Sequence, residues 1–306
     1  MRSHVVALAA LLIAFCSWPD APEPKPRPPL RFNTGTPGGG FHPLGQSLAT
    51  QLNLQSRESA GSINNVLAIQ NGTADVALTY ADVAYFAAAG TLSGLDGRLD
   101  RLRGIAVLQR APVHLVVRAG SGVTDVAGLR GRRVGVGTGG SGTALTAGLV
   151  MKAFGLDAAA VESKQLRYDD AAKQLMRGTL DAMFVIGADP VDAVRIATHA
   201  GARILPLEGP AIDALRSEYP FFRVALIDGG QYPGHDKAIR TIGVETLLVC
   251  RSSLDEREVH DLTARLLAGV RDMPLLRTMD LEQASAVPIP LHEGAARFYR
   301  ERELTR

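Results

Sequence analysis

Twice in this chain a short strand-like segment ends in a glycine-rich turn that opens directly into helix-forming residues. The first turn is Gly35-Thr36-Pro37-Gly38-Gly39-Gly40; the second is Gly135-Val136-Gly137-Thr138-Gly139-Gly140-Ser141-Gly142-Thr143. A strand that turns sharply into a helix is half of a βα crossover. Its repetition points to sheets covered by helices rather than to a bundle or a sandwich.

The rest of the chain keeps the same alternation. Leu30 to Gly35 reads as a strand, and a helix follows from about Pro43, proline being favoured in a first helical turn. Ser62 is placed to cap a short helix ending at Asn71-Gly72. Asp75 to Thr79 reads as a buried strand, with Asp82 as a cap for the next helix, and Ile105–Leu108 and Val113–Val117 as β-type runs. The second half repeats this with strand Arg133–Val136, a helix from Thr143, a helix around Ala171–Met176 and strand Asp181–Ile186. Ser253-Leu254-Asp255-Glu256 has the form of a capping box opening a long helix. The expectation is an α/β fold with mostly parallel sheets covered by helices.

Val113–Arg118 and Glu245–Arg251 resemble each other, each a strand leading into a capped helix. They are candidates for two crossings between lobes, or for two ordinary strand–helix units. With both as crossings, lobe 1 is 30–116 together with a return over 250–306, and lobe 2 is 117–249. The chain of 306 residues is long enough for two such lobes.

Before Leu30 the sequence has another character. Arg2 precedes the apolar run Val5–Phe15, which is too short for a transmembrane helix, and Pro19 to Pro29 holds six prolines. Residues 1–16 read as an export signal and 17–29 as an extended spacer. Cys16 follows the apolar run where a lipoprotein would be cleaved and lipidated, although Phe15 replaces the small residue expected before it. An extracytoplasmic, periplasmic location follows, with a membrane contact only through a lipid on Cys16. Cys250 is the other cysteine, so the mature chain has no internal disulfide. A net charge of +2 and 5% aromatic residues argue against nucleic acid.

The glycine turns carry the chemistry. Glycine lets backbone approach a ligand closely, a helix N-terminus offers unpaired N–H groups, and Ser and Thr hydroxyls add adjustable donors. Two facing turns would hold a small anion from both sides; each alone is equally a tight connection. Gly135, Gly137 and Gly140 fit G-x-G-x-x-G, which keeps an NAD(P)-dependent oxidoreductase open, with Asp157 near the distance of the required acid. The phosphate loop fails because Ser141 stands where lysine is needed, and the G-x-S-x-G elbow fails at Thr143. No metal-ligand or nucleophile pattern is present, so no cofactor, metal or catalytic residue is assigned.

Several segments together resemble the TAXI family, the substrate-binding subunits of tripartite ATP-independent periplasmic (TRAP) transporters. Thr34–Pro43 is similar to that family's first ligand loop, Ala60–Asn65 to its GSVEN segment, and Gln70–Leu78 to its QxGxADLAF. Leu129–Val134 resembles LKGKRV before the GSGT loop, Gly178–Ala182 resembles GxIDA, and Tyr232-Pro233-Gly234 a TYPG-like turn. The resemblance implies a type II-like clamshell with no enzymatic activity, binding a small organic acid or amino acid, glutamate-like or a keto acid, for a TRAP membrane permease. A sensor role for a signalling receptor is the alternative partner. The ligand residues it implies are Thr36, Gly39, Gly40, Phe41, His42, Ser62, Asn64, Tyr80, Asp82, Arg110, Ser141, Gly142, Thr143 and Gly187. Phe41-His42 departs from the family's paired tyrosines, and Gln109-Arg110 stands where an aromatic and a proline are usual. Arg110 is the candidate for a fixed positive charge in the cleft, and Asp82 for a partner of an ammonium group.

Overall fold

A computed structural model describes residues 28–304. The export signal, Cys16 and most of the proline-rich spacer lie outside the described residues.

The fold is α/β and is built from two sheets that share one strand. Strand β1 (Arg31–Asn33) pairs in parallel with β2 (Gln55–Arg57) and β3 (Val76–Tyr80). The long strand β4 (Leu102–Val117) joins this sheet through β10 (Ile239–Arg251) and then continues into the second sheet. There β5 (Arg133–Gly135) pairs in parallel with β6 (Glu162–Lys164) and β7 (Ala182–Ile186). The last part of β4 lies antiparallel between β7 and β8 (Arg203–Leu205). Strand β9 (Phe222–Ile227) pairs antiparallel with the start of β10. Both sheets thus have the order second, first, third, crossing strand, next strand. Parallel pairing is confined to the outer three strands of each sheet, because the crossing strands run against every strand they touch.

The two runs expected at Ile105–Leu108 and Val113–Val117 are one continuous strand. Pro112 sits at the point where β4 stops pairing with β10 and starts pairing with β7. Strand β10 changes over in the same region, pairing with β9 up to Val244 and with β3 from Thr246.

Helices α1 (Phe41–Leu52), α2 (Ser62–Gln70), α3 (Ala81–Ala89), α4 (Gly142–Ala153) and α5 (Tyr168–Met176) each follow a strand. Helices α6 (Asp192–His199) and α7 (Pro210–Glu218) complete the second lobe, and α8 (Glu256–Gly269) packs against α9 (Glu293–Leu304) on the first. Strands β3 and β7 are buried at every position, as expected for strands covered on both faces. Helix α8 buries Val259, Leu262 and Leu266, the spacing of one helical face. It is capped by Asp255, whose carboxylate accepts from the amides of Arg257 and Glu258, and not by Ser253. The helix begins two residues later than the capping-box reading, since Asp255 offers the stronger acceptor.

One device occurs in both lobes. Arg31, at the start of β1, donates to both carboxylate oxygens of Asp75 and to the Gly72 carbonyl. Arg133, at the start of β5, makes the same three contacts with Asp181 and Gly178. An arginine at the far end of each crossing strand completes the pair: Arg251 of β10 donates to Asp75, and Arg118, just beyond β4, donates to Asp181. Gly72 and Gly178 both have positive φ (70° and 74°), which suits glycine at the turn each arginine clasps.

Candidate functional site

The two glycine turns face each other. Between them lies a cavity of about 50 Å³, room for a few water molecules. The first lobe lines it with Gly35, Thr36, Gly39, Gly40, Phe41, Ala60, Gly61, Ser62 and Tyr80. The second lobe contributes Thr138, Ser141, Gly142, Thr143, Leu166, Arg167 and Tyr168.

The geometry is that of closed lobes. The Ile63 and Asn64 amides, in the first turn of α2, donate to the Gly140 carbonyl at 3.0 and 3.2 Å. Thr138 Oγ1 donates to the Ala60 carbonyl at 3.0 Å, and Arg167 Nη2 to the Pro37 carbonyl at 2.6 Å. Tyr80 OH donates to the Ile186 carbonyl at 3.1 Å. Backbone is packed so closely here that a Cβ on Gly40 would lie 2.7 Å from the Ile186 oxygen. On Gly142 it would lie 2.7 Å from the Tyr80 ring and 2.8 Å from Ser62 Oγ. Glycine is required at both positions for the lobes to meet this way.

Helix ends supply donors around the cavity. Gly142 and Thr143 are the first two residues of α4, whose N-cap Ser141 accepts from the Ala144 amide at 3.3 Å. The earliest amides of a helix have no partner within it and carry partial positive charge. Helix α1 starts at Phe41, two residues before Pro43, so Gly40 holds the N-cap position. Gly61, with φ of 120°, holds the N-cap of α2, and Ser62 is its first helical residue. Ser62 Oγ therefore serves a different purpose, accepting from the Tyr80 amide at 3.2 Å. Phe41 packs on Tyr80 with ring centres 4.5 Å apart.

Tyr168 was not singled out from the sequence, yet it ties the second lobe's wall together. Its hydroxyl contacts Thr143 Oγ1 at 2.6 Å, accepts from the Ile186 amide and donates to the Ile186 carbonyl. Burial raises its phenol pKa above the ordinary value, and burial also pushes Tyr80 well up, so both hydroxyls stay protonated donors. Arg167 is the second omission. It is the only charged residue among those lining the cavity. A lone arginine after the mostly polar segment 162–166 carries no sequence signal; only the fold brings it opposite the first glycine turn.

Five expected ligand residues stand elsewhere. Asn64 is exposed beside Gly140 and does not line the cavity; its neighbour Asn65 is the buried one, donating to the Thr34 and Leu78 carbonyls. Arg110 points away, paired with Glu245 at 2.8 Å in a separate, wider groove that also holds Arg223 and Asp280. His42 is half-buried on α1, with Nδ1 buried and unpartnered, and Gly187 packs against Gly40 behind the cavity wall.

Asp82 is the fifth, and its position is the least expected. It is the second residue of α3 and is wholly buried. One carboxylate oxygen accepts from the Val83 amide at 2.7 Å; the other accepts from Thr146 Oγ1 of α4, across the lobes, at 2.6 Å. No cation pairs with it among the described residues. Burial raises its pKa to about 6.

For the oxidoreductase reading, the strand that follows α4 is decisive. Strand β6 ends at Lys164, where a ribose-binding acid would stand, and Asp157 lies in the turn before it. No cluster of His, Cys, Asp or Glu suited to a metal occurs among the described residues, and no helix among them is long and apolar enough to cross a membrane.

These features define the class: an α/β protein of two lobes joined by crossing strands, with its cleft between facing glycine turns. The chain belongs to the NMT1-like family, whose profile matches residues 32–302. Solved ligand-bound proteins share the fold. MatC from Rhodopseudomonas palustris, solved with bound malate, aligns with a TM-score of 0.57 at 17% identity over 91% of this chain and 99% of its own. SsuA, the alkanesulfonate-binding protein of Xanthomonas axonopodis pv. citri, bound to MOPS, gives 0.51 at 14% identity over 90% and 84%. XAC2383 from Xanthomonas citri, bound to ATP, gives 0.51 at 11% identity over 92% and 100%.

Proposed function

We propose that this chain is an extracytoplasmic solute-binding subunit that captures a small carboxylate for a TRAP-type transporter of the TAXI kind. The observation that carries the reading is the cavity between the glycine turns, rimmed by helix N-termini and hydroxyls from both lobes with Arg167 at its edge. An anion held there touches both lobes at once, so binding favours the closed form over the open one. Thr36, Gly39, Gly40, Phe41, Ser62, Tyr80, Ser141, Gly142 and Thr143 form the ligand shell in this reading, joined by Thr138, Arg167 and Tyr168.

The lobes hinge where the crossing strands change partners. In this reading the hinge lies at Ala111–Val113 and Gly243–Thr246, several residues inside the strands, and the exchange of partners there supports it. Lobe 1 is then residues 30–111 with 247–306, and lobe 2 is 114–242. The TAXI assignment rests on the ordered run of motifs from Thr34 to Gly234. A leader over 1–16, with a lipid on Cys16, would tether the protein beside its permease.

The test is a thermal-shift screen of the purified mature chain against mono- and dicarboxylates, followed by calorimetry and small-angle scattering on the best ligand. A rise in melting temperature with a fall in radius is expected. If no carboxylate shifts the transition, the assignment fails.

A further inference from the structure

We infer that the ligand is a carboxylic acid without an ammonium group, an oxo- or hydroxy-acid and not an amino acid. This rests on the cavity being the ligand site. An ammonium group taken out of water needs an opposite charge or a full set of acceptors beside it. The residues lining the cavity include no Asp or Glu, and their one charge is the cation of Arg167. Arg167 makes no ion pair among the described residues; one of its N–H groups goes to the Pro37 carbonyl. A guanidinium has five donors in a planar fork that matches a carboxylate, so Arg167 has capacity for an anion left over.

The two nearby acids are both engaged elsewhere or outside the lining. Asp82 has each carboxylate oxygen bonded, to the Val83 amide and to Thr146 Oγ1, in the layer between α3 and α4. It is wholly buried and absent from the cavity wall. Asp169 lies against the first glycine turn at Gly38, where a Cβ would meet its Oδ2 at 2.8 Å, and it too is absent from the wall. The phenols of Tyr80 and Tyr168 spend their O–H groups on the Ile186 carbonyl, so the charged donor left at the cavity is the Arg167 guanidinium, with the first amides of α4 beside it. Such a lining selects for anionic and carbonyl or hydroxyl oxygens.

Matched pairs decide the matter: 2-oxoglutarate against glutamate, malate against aspartate, and pyruvate against alanine, titrated by calorimetry into the mature chain. In the pair that binds, the ammonium-free acid is expected to bind at least tenfold tighter. Arg167→Gln should weaken that acid on the order of tenfold to a hundredfold, the loss of a charged hydrogen-bonding partner, with an unchanged melting temperature. Asp169→Asn should leave the preference as it was. An amino acid that equals or exceeds its partner acid overturns the inference while leaving the solute-binding reading intact. Loss of that amino acid's binding in Asp169→Asn would then name the ammonium partner. If no member of any pair binds, the cavity is not a carboxylate site and the functional reading itself falls.

Discussion

Closing the lobes places Asp82 in an apolar layer against Thr146 of the other lobe, and this makes closure sensitive to pH. The carboxyl pKa is about 6 in the closed form, against an ordinary 3.8, because burial penalises the charged form more than the Thr146 hydroxyl supports it. The Asp82 charge acts in turn on Tyr80, whose phenol is pushed well up by burial, by Tyr168 and by Asp82. When the lobes open, α4 leaves and water reaches Asp82, so its pKa returns toward the ordinary value. A carboxyl raised in the closed form means that the closed form holds a proton the open form lacks. Above about pH 7 both forms are ionised and closure bears the whole penalty, on the order of 3 kcal/mol from the two pKa values. The penalty shrinks as pH falls through 6 and vanishes below about 4, where both forms are protonated. Ligand affinity should therefore rise about tenfold between pH 7 and pH 5, for a ligand whose carboxyls stay ionised over that range. Asp82→Asn removes the titration. It should bind more tightly than the parent at pH 7.5 and show a flat profile from pH 5 to 8. Thr146→Val removes the donor that favours the ionised form and should weaken binding at pH 7.5. Calorimetry across pH with both variants is the assay. A parent profile that is flat over this range, or an Asn variant that keeps the slope, refutes the reasoning.

Four further outcomes are expected. Gly40→Ala sets a methyl 2.7 Å from the Ile186 carbonyl oxygen, so the lobes should stop short of closure; affinity should drop at least tenfold while the thermal transition without ligand stays within a degree or two. Asp75→Asn leaves Arg31 and Arg251 without their partner; because the arginines are partly exposed, the loss should be about 1–3 kcal/mol in urea unfolding at pH 7. The bonds from Arg31 and Arg133 hold the Asp75 and Asp181 carboxyls well below the usual range, so the stability they supply is fully present above about pH 4 and is lost as pH falls further; acid titration of the parent against the Asn variants measures it. Cys250 is wholly buried and its thiol is pushed far up by burial, so it should resist a thiol reagent in buffer and react fully in denaturant.

Much of the frame is legible in the sequence, because it is written in local signals. The buried strand Ala182–Ile186 is an uninterrupted apolar run, Val76–Tyr80 is broken only by Thr79, and both glycine turns open helices as expected. The turns also form the walls of one cavity, so Thr36, Gly39, Gly40, Ser141, Gly142 and Thr143 lie together as the facing-turn reading requires. What local signals cannot carry is direction. Asp82 looks like a helix cap near a strand end, a common place for a cleft residue, but the turn of α3 sends its side chain into the layer under α4. Asn64 and Asn65 are adjacent, and the helical advance between them decides that Asn65 is buried and Asn64 is not. Arg110 and Arg167 are both isolated arginines in the sequence; one meets Glu245 on the neighbouring strand and the other reaches the opposite lobe at Pro37. Only contacts 135 and 130 residues apart separate the two cases.

The repeated arginine–aspartate clasp explains why the frame and the site can vary independently. In each lobe the clasp joins the start of the first strand, the turn before the third strand and the far end of a crossing strand. All three lie at the edge of the sheet opposite the glycine turns, since the turns follow the other end of the first strand. The charges that fix strand register are thus a strand's length away from the glycine turns. A substitution in a glycine turn leaves the clasp in place, so ligand preference can change while the lobes keep their fold. The crossing-strand arginines add a second consequence. Arg118 and Arg251 anchor the crossing strands to opposite lobes, and each anchor lies beyond the point where its strand changes partners. In the proposed reading, motion between lobes is absorbed between the anchors, around Pro112 and Gly243, where β4 and β10 still pair with each other and neither is held by a clasp. Double replacement of Arg118 and Arg251 by Met should lower stability through loss of two partners for Asp181 and Asp75, yet leave the change in scattering radius on ligand addition as large as in the parent. A smaller radius change in that variant would show that the clasps take part in the hinge, and would move the hinge back to the strand ends.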